Sequence, residues 1–505
     1  MPGTQDNAHR FEPPTRRVRV LDPATASVLE GFPEPEPTAY IGDHLLLDHT
    51  EDDRGMTNRL ADTAESLGWD LRPRKERSVR VSHPDGDRDV GATVLELRPA
   101  SGRAVRPPDA WELLQAARAR YGSDAVRPVS LDHVLTLTSP LIANPFHDPG
   151  PFHDPGPFHD PGSAALYSYG VAGHGGRQPV AGPLCPPAPR PGASYRPMIA
   201  VLDTGCGRHS WLDGHVDESV QLDGAPIGYT DAATDPESHA DIVGPLDGSL
   251  DPLTGHGTFI SGLVRQACPE AQISSWRVVQ ADGLIVESDL VECLTKVAEL
   301  VRRDAAGEEG GRQIDVLNLS MGYYHETPDD VIFDSTMYAL LEIMGECGTV
   351  VVASAGNDAT TRPMFPAAFA PWSDGGGAPT RADCVPVVSV GATNPDGTDA
   401  LFTNVGPWVR TMTPGASVVS TYPSVDGGAQ PRARTTAEGR VRESIDPDDF
   451  AGGFAVWSGT SFAAPVLAGQ LASAMVDLGT ISTSSAEDRI ARNWKAVTKV
   501  TGIAP

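Results

Sequence analysis

The stretch MIAVLDTGCG, residues 198–207, is a short apolar run that ends in an aspartate and a glycine turn. Its composition is typical of a strand that is buried on both faces of a sheet. Asp203 comes where this strand breaks into the turn, so its carboxylate is expected at the carboxyl end of the strand. Because Asp and Gly also mark ordinary turns, this stretch alone favours a turn, with a functional carboxylate as the alternative.

Four further apolar runs repeat the pattern, and helical stretches separate them. They are ISSWRVV (273–279), DVLNLSMG (315–322), GTVVVASAGN (348–357) and VVSVGAT (387–393). Buried strands that alternate with helices are typical of a mostly parallel sheet with helices on both faces. The predicted fold class of residues 196–505 is therefore α/β, with ligands bound at the carboxyl ends of the strands.

Two polar residues stand out in glycine-rich surroundings. His256 lies between two glycines in TGHGTFISGLV, residues 254–264, at the start of an apolar helical run. Asn357 ends GTVVVASAGN, where its amide can point at a substrate oxygen. Each also has a plain structural interpretation, as a loop histidine and as a turn asparagine.

The stretch SGTSFAAP, residues 458–465, places Ser461 at the start of a second apolar helical run. The amino terminus of a helix favours developing negative charge. A serine hydroxyl is a poor nucleophile unless the chain also supplies a base, a group that orients the base and a donor to an oxyanion. The alternative is that Thr460 or Ser461 only caps the helix.

Together these motifs resemble those of the subtilisin-like serine proteases, over roughly residues 195–480 and in the order Asp203, His256, Asn357, Ser461. The resemblance implies that Asp203 orients and stabilises the imidazole of His256. It implies that His256 is the general base and then the general acid, while Ser461 attacks the substrate carbonyl. Asn357 and the Ser461 N–H would form the oxyanion hole. The expected activity is a serine endopeptidase that forms an acyl-enzyme intermediate.

The same resemblance implies a substrate-binding cleft. One wall would run beside the substrate backbone and consist of Ser320, Met321 and Gly322. The opposite wall of the specificity pocket would consist of Ser354, Ala355 and Gly356. The chemistry requires no cofactor, although the family often binds structural calcium.

Other classes fit less well. An α/β-hydrolase is disfavoured because SGTSFAAP lacks the second glycine of GxSxG and the order of the three groups differs. A sedolisin would carry a glutamate in place of His256. A catalytically silent, peptide-binding relative is the remaining alternative, although every group needed for the chemistry is present.

A smaller α+β unit is predicted over residues 40–136, after an amino-terminal extension, residues 1–39. Its predicted strands are HLLLDH (44–49), RSVRVSH (77–83), GATVLELRP (91–99) and AVRPVSLDHVL (125–135). With two intervening helices the order is β-α-β-β-α-β, a ferredoxin-like layout. Subtilisin-like enzymes commonly carry a prosegment of this kind, which blocks the cleft. The hypothesis is a tethered inhibitor released by cleavage within residues 162–176, and the alternative is a permanent targeting or partner-binding domain.

Residues 137–195 are predicted to be a proline-rich linker. PFHDPG occurs three times between residues 145 and 162. Its histidines and aspartates could suggest a metal site, but flanking prolines and the lack of a closed ligand set favour an extended spacer. No metal is therefore predicted.

Composition limits the partners and the compartment. With 39 basic and 67 acidic residues the formal charge is −28, which disfavours nucleic acid and anionic membranes as partners. A peptide or protein substrate is the expected partner, and the oligomeric state is left open. The amino terminus has no apolar leader and the sequence has no run of 18 apolar residues. The cytoplasm is the expected compartment, with export by another route as the alternative.

Overall fold

The computed structural model describes residues 18–28, 34–49, 53–81, 88–102, 106–137, 175–182, 185–243, 246, 248, 250–279, 282–327, 335–428, 431, 433–479 and 485–505. The three PFHDPG repeats, with His147, His153, His159, Asp148, Asp154 and Asp160, lie outside the described residues. Most of the predicted cleavage region, residues 162–176, also lies outside them.

The described residues form the following α-helices: α1 Asp53–Leu67, α2 Ala110–Tyr121, α3 His256–Ala267, α4 Glu287–Ala306, α5 Ser335–Glu346, α6 Thr460–Leu478 and α7 Ala486–Thr501. The strands are β1 Val18–Leu21, β2 Thr38–Asp48, β3 Trp69–Val81, β4 Arg88–Pro99, β5 Val129–Leu137, β6 Gln178–Pro179, β7 Met198–Asp203, β8 Val216–Asp217, β9 Gln221–Leu222, β10 Ala225–Pro226, β11 Gln272–Arg277, β12 Leu284–Val286, β13 Val316–Leu319, β14 Met321–Gly322, β15 Val350–Ser354, β16 Val387–Thr393, β17 Thr411–Pro414, β18 Val418–Thr421, β19 Arg434–Ala437, β20 Arg440–Glu443 and β21 Phe454–Trp457.

A seven-stranded sheet lies at the centre of the larger domain, in the order β17-β16-β15-β13-β7-β11-β8. All of its neighbouring strands are parallel. Side chains of β7 alternate between its faces: Ile199 and Val201 pack with α3 and α6, whereas Ala200 and Leu202 pack with α4 and α5. The prediction of a parallel sheet covered by helices on both faces is confirmed.

Helix α6 is the most apolar helix of this core. By length and composition alone it would suffice to cross a membrane. It is instead mostly buried, because it packs on the central sheet and on α3. It carries Ser461 at its first turn, so its burial fixes the position of that side chain.

The amino-terminal unit has the element order β2-α1-β3-β4-α2-β5. Its strands lie in the order β5-β2-β4-β3, all antiparallel to their neighbours, and β1 pairs with the outer part of β2. Strand β1 lies inside the predicted extension, and β6 lies inside the predicted linker and pairs with β21. Both strands extend their domains beyond the predicted boundaries, because each finds a partner that composition alone does not reveal.

Strand β5 continues from the amino-terminal sheet into the larger domain. It pairs antiparallel with β12 on one side, where Leu135 lies opposite Ile285. On the other side it pairs antiparallel with β14, where Leu137 lies opposite Met321. Leu135 and Leu137 are both buried in the core of the larger domain. The end of β5 therefore lies between two strands of that domain.

Candidate active site

The Asp203 carboxylate and the His256 imidazole form a buried pair at the carboxyl edge of the central sheet. Nδ1 of His256 lies 2.7 Å from Oδ1 of Asp203, and neither side chain is exposed. Because the carboxylate can only accept, Nδ1 carries the proton and Nε2 is left with a lone pair. Nε2 is buried and has no hydrogen-bond partner among the described residues. The imidazole is therefore oriented to accept a proton at Nε2.

The glycines on either side of His256 are required by close contacts. A Cβ atom at Gly257 would lie 2.0 Å from the carbonyl oxygen of Gly205, in the turn that follows Asp203. A Cβ atom at Gly255, whose φ is +79°, would lie 2.6 Å from the ring of Tyr422. The start of α3 can therefore approach the Asp203 turn only because these positions lack side chains.

A buried carboxylate that the sequence motifs do not indicate, Glu237, lies next to this pair. Its Oε1 accepts hydrogen bonds from the Thr204 hydroxyl at 2.5 Å and the Gly257 N–H at 2.9 Å. Its Oε2 accepts from the Thr258 hydroxyl at 2.5 Å. Burial raises the pKa of Glu237 to about 8. Glu237 thus ties the turn after Asp203 to the first turn of α3, and no motif in its loop, DPESHAD (235–241), marks it.

Asn357 lies against the start of α6. Its Oδ1 accepts hydrogen bonds from the N–H of Thr460 at 2.9 Å and from the Thr460 hydroxyl at 3.0 Å. These bonds orient the side-chain amide, and its Nδ2 is buried without a partner in the part of the chain that the structure describes. An orphaned, oriented N–H group beside a serine is what an oxyanion hole requires.

A second asparagine, Asn404, supports the loop that carries Asn357, and the sequence motifs did not indicate it. Oδ1 of Asn404 accepts hydrogen bonds from the N–H groups of Asp358 and Thr360, at 3.0 and 3.2 Å. Its Nδ2 donates to the carbonyl of Ala355 at 2.9 Å. Asn404 therefore fixes the backbone on both sides of Asn357.

Ser461 is buried in the first turn of α6. Its hydroxyl donates to the carbonyl of Ser320 at 3.2 Å, and the Ser320 hydroxyl donates to the carbonyl of Ser461 at 2.9 Å. The next residue, Phe462, packs on the His256 ring with 5.1 Å between the ring centres. The start of α6 is thereby held against both the imidazole and the strand that ends at Leu319.

The residues predicted to line the substrate are buried. Met321 and Gly322 form β14 and pair with β5 of the amino-terminal unit. Ser354 ends β15, and Ala355 and Gly356 follow it toward Asn357. The strand predicted to run beside a substrate is thus paired with a strand of the chain itself.

The described residues offer one convergent set of possible metal ligands, namely His133, His325 and Glu326. Calcium takes about six to eight oxygen ligands, so two imidazoles and one carboxylate do not suit it. The calcium expectation has no support from this set, and it stays a prediction.

The fold and the site define an α/β protein that carries an Asp, His and Ser set at the carboxyl edge of a parallel sheet, with an orphaned amide beside the serine. The model of the Subtilase family matches residues 195–501, which is more than half of the chain. The chain belongs to the subtilase family. The match does not reach the amino-terminal unit, whose relation to prosegments stays a prediction.

Individual relatives are distant. Mycosin-4 of Mycobacterium tuberculosis is 26% identical over 317 residues, covering 59% of this chain and 59% of that protein. A thermophilic serine proteinase of a Bacillus species is 25% identical over 236 residues, covering 44% of this chain and 45% of the relative. The chain thus spans about half the length of these curated relatives. The crystal structure of a cold-adapted subtilisin-like serine proteinase matches 60% of this chain and 81% of its own, with 17% identity and a TM-score of 0.37. The family match and the thermophilic serine proteinase among the curated relatives support a serine peptidase.

Proposed function

We propose that this protein is a serine endopeptidase whose catalytic residues are Asp203, His256 and Ser461. The observation that carries the proposal is the fully buried pair of Asp203 and His256, with 2.7 Å between Oδ1 and Nδ1, near the first turn of α6, which carries Ser461. The orphaned amide of Asn357 beside the same helix start supports it.

The geometry supports a specific sequence of proton transfers. Nε2 of His256 takes the proton of the Ser461 hydroxyl as Oγ attacks the substrate carbonyl. Asp203 stabilises the imidazolium that forms, while Nδ2 of Asn357 and the Ser461 N–H donate to the oxyanion. His256 then gives its proton to the leaving amine, which leaves an acyl-enzyme. Water, deprotonated by His256, attacks the ester carbonyl, and His256 returns that proton to Oγ of Ser461 as the carboxylic acid product leaves.

Labelling with a fluorophosphonate tests this function directly. We expect the reagent to abolish hydrolysis of a peptide mixture and to modify Ser461, as located by peptide mass mapping, because only an activated serine reacts. A metal chelator should leave the labelling unchanged. Ser210→Ala, which replaces an exposed serine of the same domain, is the matched control. Peptide hydrolysis that survives complete modification of Ser461 would rule the mechanism out.

We also propose that the amino-terminal unit is a tethered inhibitor of this site. The support is the end of β5, which pairs with β12 and β14 and buries Leu135 and Leu137 in the larger domain. Because β5 pairs with β14, the strand predicted to run beside a substrate, a substrate cannot pair with that strand at the same time. Because β5 is part of the same chain, its effective concentration at the cleft is high.

The register of this pairing favours cleavage of the chain at the end of β5. Thr136 lies opposite Gly322 and Leu137 lies opposite Met321, so the end of β5 is directed toward Ser320. The Ser320 carbonyl accepts the hydrogen bond of the Ser461 hydroxyl. We therefore expect the first cleavage directly after Leu137, in preference to residues 162–176.

Displacing the end of β5 from β12 and β14 should increase the peptidase activity of the full-length chain. Leu135→Asp buries a carboxylate in an apolar site, which costs several kcal/mol, so we expect initial hydrolysis of a short peptide to rise by at least about tenfold. Intact mass measured at the start of the assay shows that the chain is uncut. Val20→Asp, at a half-exposed position of β1, is the control. An uncut wild-type chain as active as Leu135→Asp would contradict inhibition.

A further inference from the structure

A buried charge cluster joins β5 to the larger domain. Nδ1 of His133 lies 2.6 Å from Oε2 of Glu287, and Nε2 lies 2.8 Å from Oε2 of Glu326. All three side chains are 1% exposed. Burial alone would lower the pKa of His133, but the two carboxylates raise it to about 10. Each ring nitrogen of His133 faces a carboxylate oxygen, which can only accept, so both nitrogens act as donors and the imidazole is held as a cation between two carboxylates.

Both carboxylates belong to the larger domain and flank the path of β5. Glu287 is the first residue of α4 and directly follows β12. Glu326 follows β14 by four residues. Two carboxylates that are buried without a cation are unfavourable. When β5 leaves, this pair loses His133, while Glu326 keeps His325, whose Nδ1 lies 3.6 Å from Oε2 of Glu326.

The cluster holds a histidine but has features that suit a larger cation. Oε1 of Glu326 is buried and has no hydrogen-bond partner within the described ranges. The ring of Tyr323 stacks on His133, with 4.6 Å between the ring centres and 25° between the planes. A guanidinium is flat, stacks on aromatic faces and has five N–H donors, so it can bond to more carboxylate oxygens than an imidazole can.

We propose that Glu287, Glu326 and Tyr323 form a specificity subsite for a basic side chain of the peptide substrate, with arginine preferred. The inference rests on the proposed peptidase function. A substrate strand that pairs with β12 and β14 as β5 does places alternate side chains on one side. The residue in the position of His133, four before that of Leu137, then reaches the subsite.

Matched peptides test the preference. Peptides with the sequence of residues 129–141, VSLDHVLTLTSPL, would carry Arg, Gln or Glu at the position of His133. The enzyme is the chain after its own processing, verified by intact mass. We expect kcat/KM for the Arg peptide to exceed that for the Gln peptide by at least about tenfold, since hydrogen bonds to charged groups are strong. The Glu peptide should be the poorest substrate, because a third carboxylate is repelled.

Substitutions in the subsite test which carboxylates cause the preference for the Arg peptide. The ratio between the Arg and Gln peptides should fall toward one in Glu287→Gln and in Glu326→Gln. It should stay at the wild-type value in Glu299→Gln, which changes a carboxylate farther along α4. Equal cleavage of the Arg and Gln peptides by the wild-type enzyme overturns the subsite but leaves the peptidase function standing. Failure to cleave any peptide overturns both.

A second measurement does not need an active enzyme. In the full-length Ser461→Ala chain, hydrogen exchange of residues 284–286 and 321–322 reports whether β5 is paired with β12 and β14. We expect His133→Arg to keep these amides protected and His133→Glu to expose them, because only the latter places three carboxylates together. Equal protection in His133→Glu and the parent chain would overturn the assignment of this cluster as a cation site.

Discussion

Replacing Ser461 by alanine should lower kcat/KM for peptide hydrolysis by about 10⁶-fold, the order of loss expected when one member of a cooperating triad is removed. The variant lacks the attacking oxygen, and His256 then has no alcohol to deprotonate. The fold should be retained, because the change removes one hydroxyl that donates to the Ser320 carbonyl and leaves the apolar packing of α6 in place.

Kinetics and thermal unfolding of the same preparations check this result. We expect the unfolding temperature of Ser461→Ala to lie close to that of the wild type, since a single hydrogen bond contributes only about 1 kcal/mol. Retention of more than one hundredth of the wild-type activity would assign the nucleophile to another residue. A variant that is inactive but unfolded would be uninformative about chemistry, so both measurements are made on each sample.

Replacing Asp203 by asparagine should lower kcat by about 10⁴-fold, the effect expected when the imidazole is left in the wrong tautomer. The carboxylate now accepts from Nδ1 of His256 at 2.7 Å and from the N–H of Thr204 at 2.8 Å. An amide in its place can donate to Nδ1 and so turn Nε2 from an acceptor into a donor. It also removes the negative charge that stabilises the imidazolium.

The control for this variant is Asp213→Asn, which changes an exposed aspartate of the same domain and should leave kcat within about twofold, as is usual for surface substitutions. Steady-state kinetics on one peptide substrate give both values. A loss of less than tenfold in Asp203→Asn would show that Asp203 is not the group that orients His256. Glu237 would then be the next candidate, because it is the other buried carboxylate that bonds to this turn.

Several expectations concern properties that the described residues do not test. The cytoplasmic location, the structural calcium and the spacer role of the PFHDPG repeats stay predictions. The ferredoxin-like assignment of the amino-terminal unit also stays a prediction, although its described strands are antiparallel and lie in the order β5-β2-β4-β3. The family match covers residues 195–501, so the peptidase assignment concerns the larger domain.

The central sheet and the proposed site residues could both be predicted from local sequence patterns. Apolar runs such as MIAVLD are local signals, because a strand buried on both faces must be apolar along its length. Asp203 ends such a run two residues before a glycine, His256 and Asn357 stand next to glycines, and Ser461 lies in the first turn of a helix, so each lies in a local pattern that the sequence displays.

Which distant groups support these residues could not be predicted, because it depends on the tertiary packing. Glu237 bonds to Thr258, which is 21 positions away, and His133 bonds to Glu326, which is 193 positions away. The pairing of β5 with β14 likewise joins two separate domains. No periodicity or motif records such contacts, because each depends on how complete elements pack together. A buried carboxylate becomes functional only through the donors and cations that the packing brings to it.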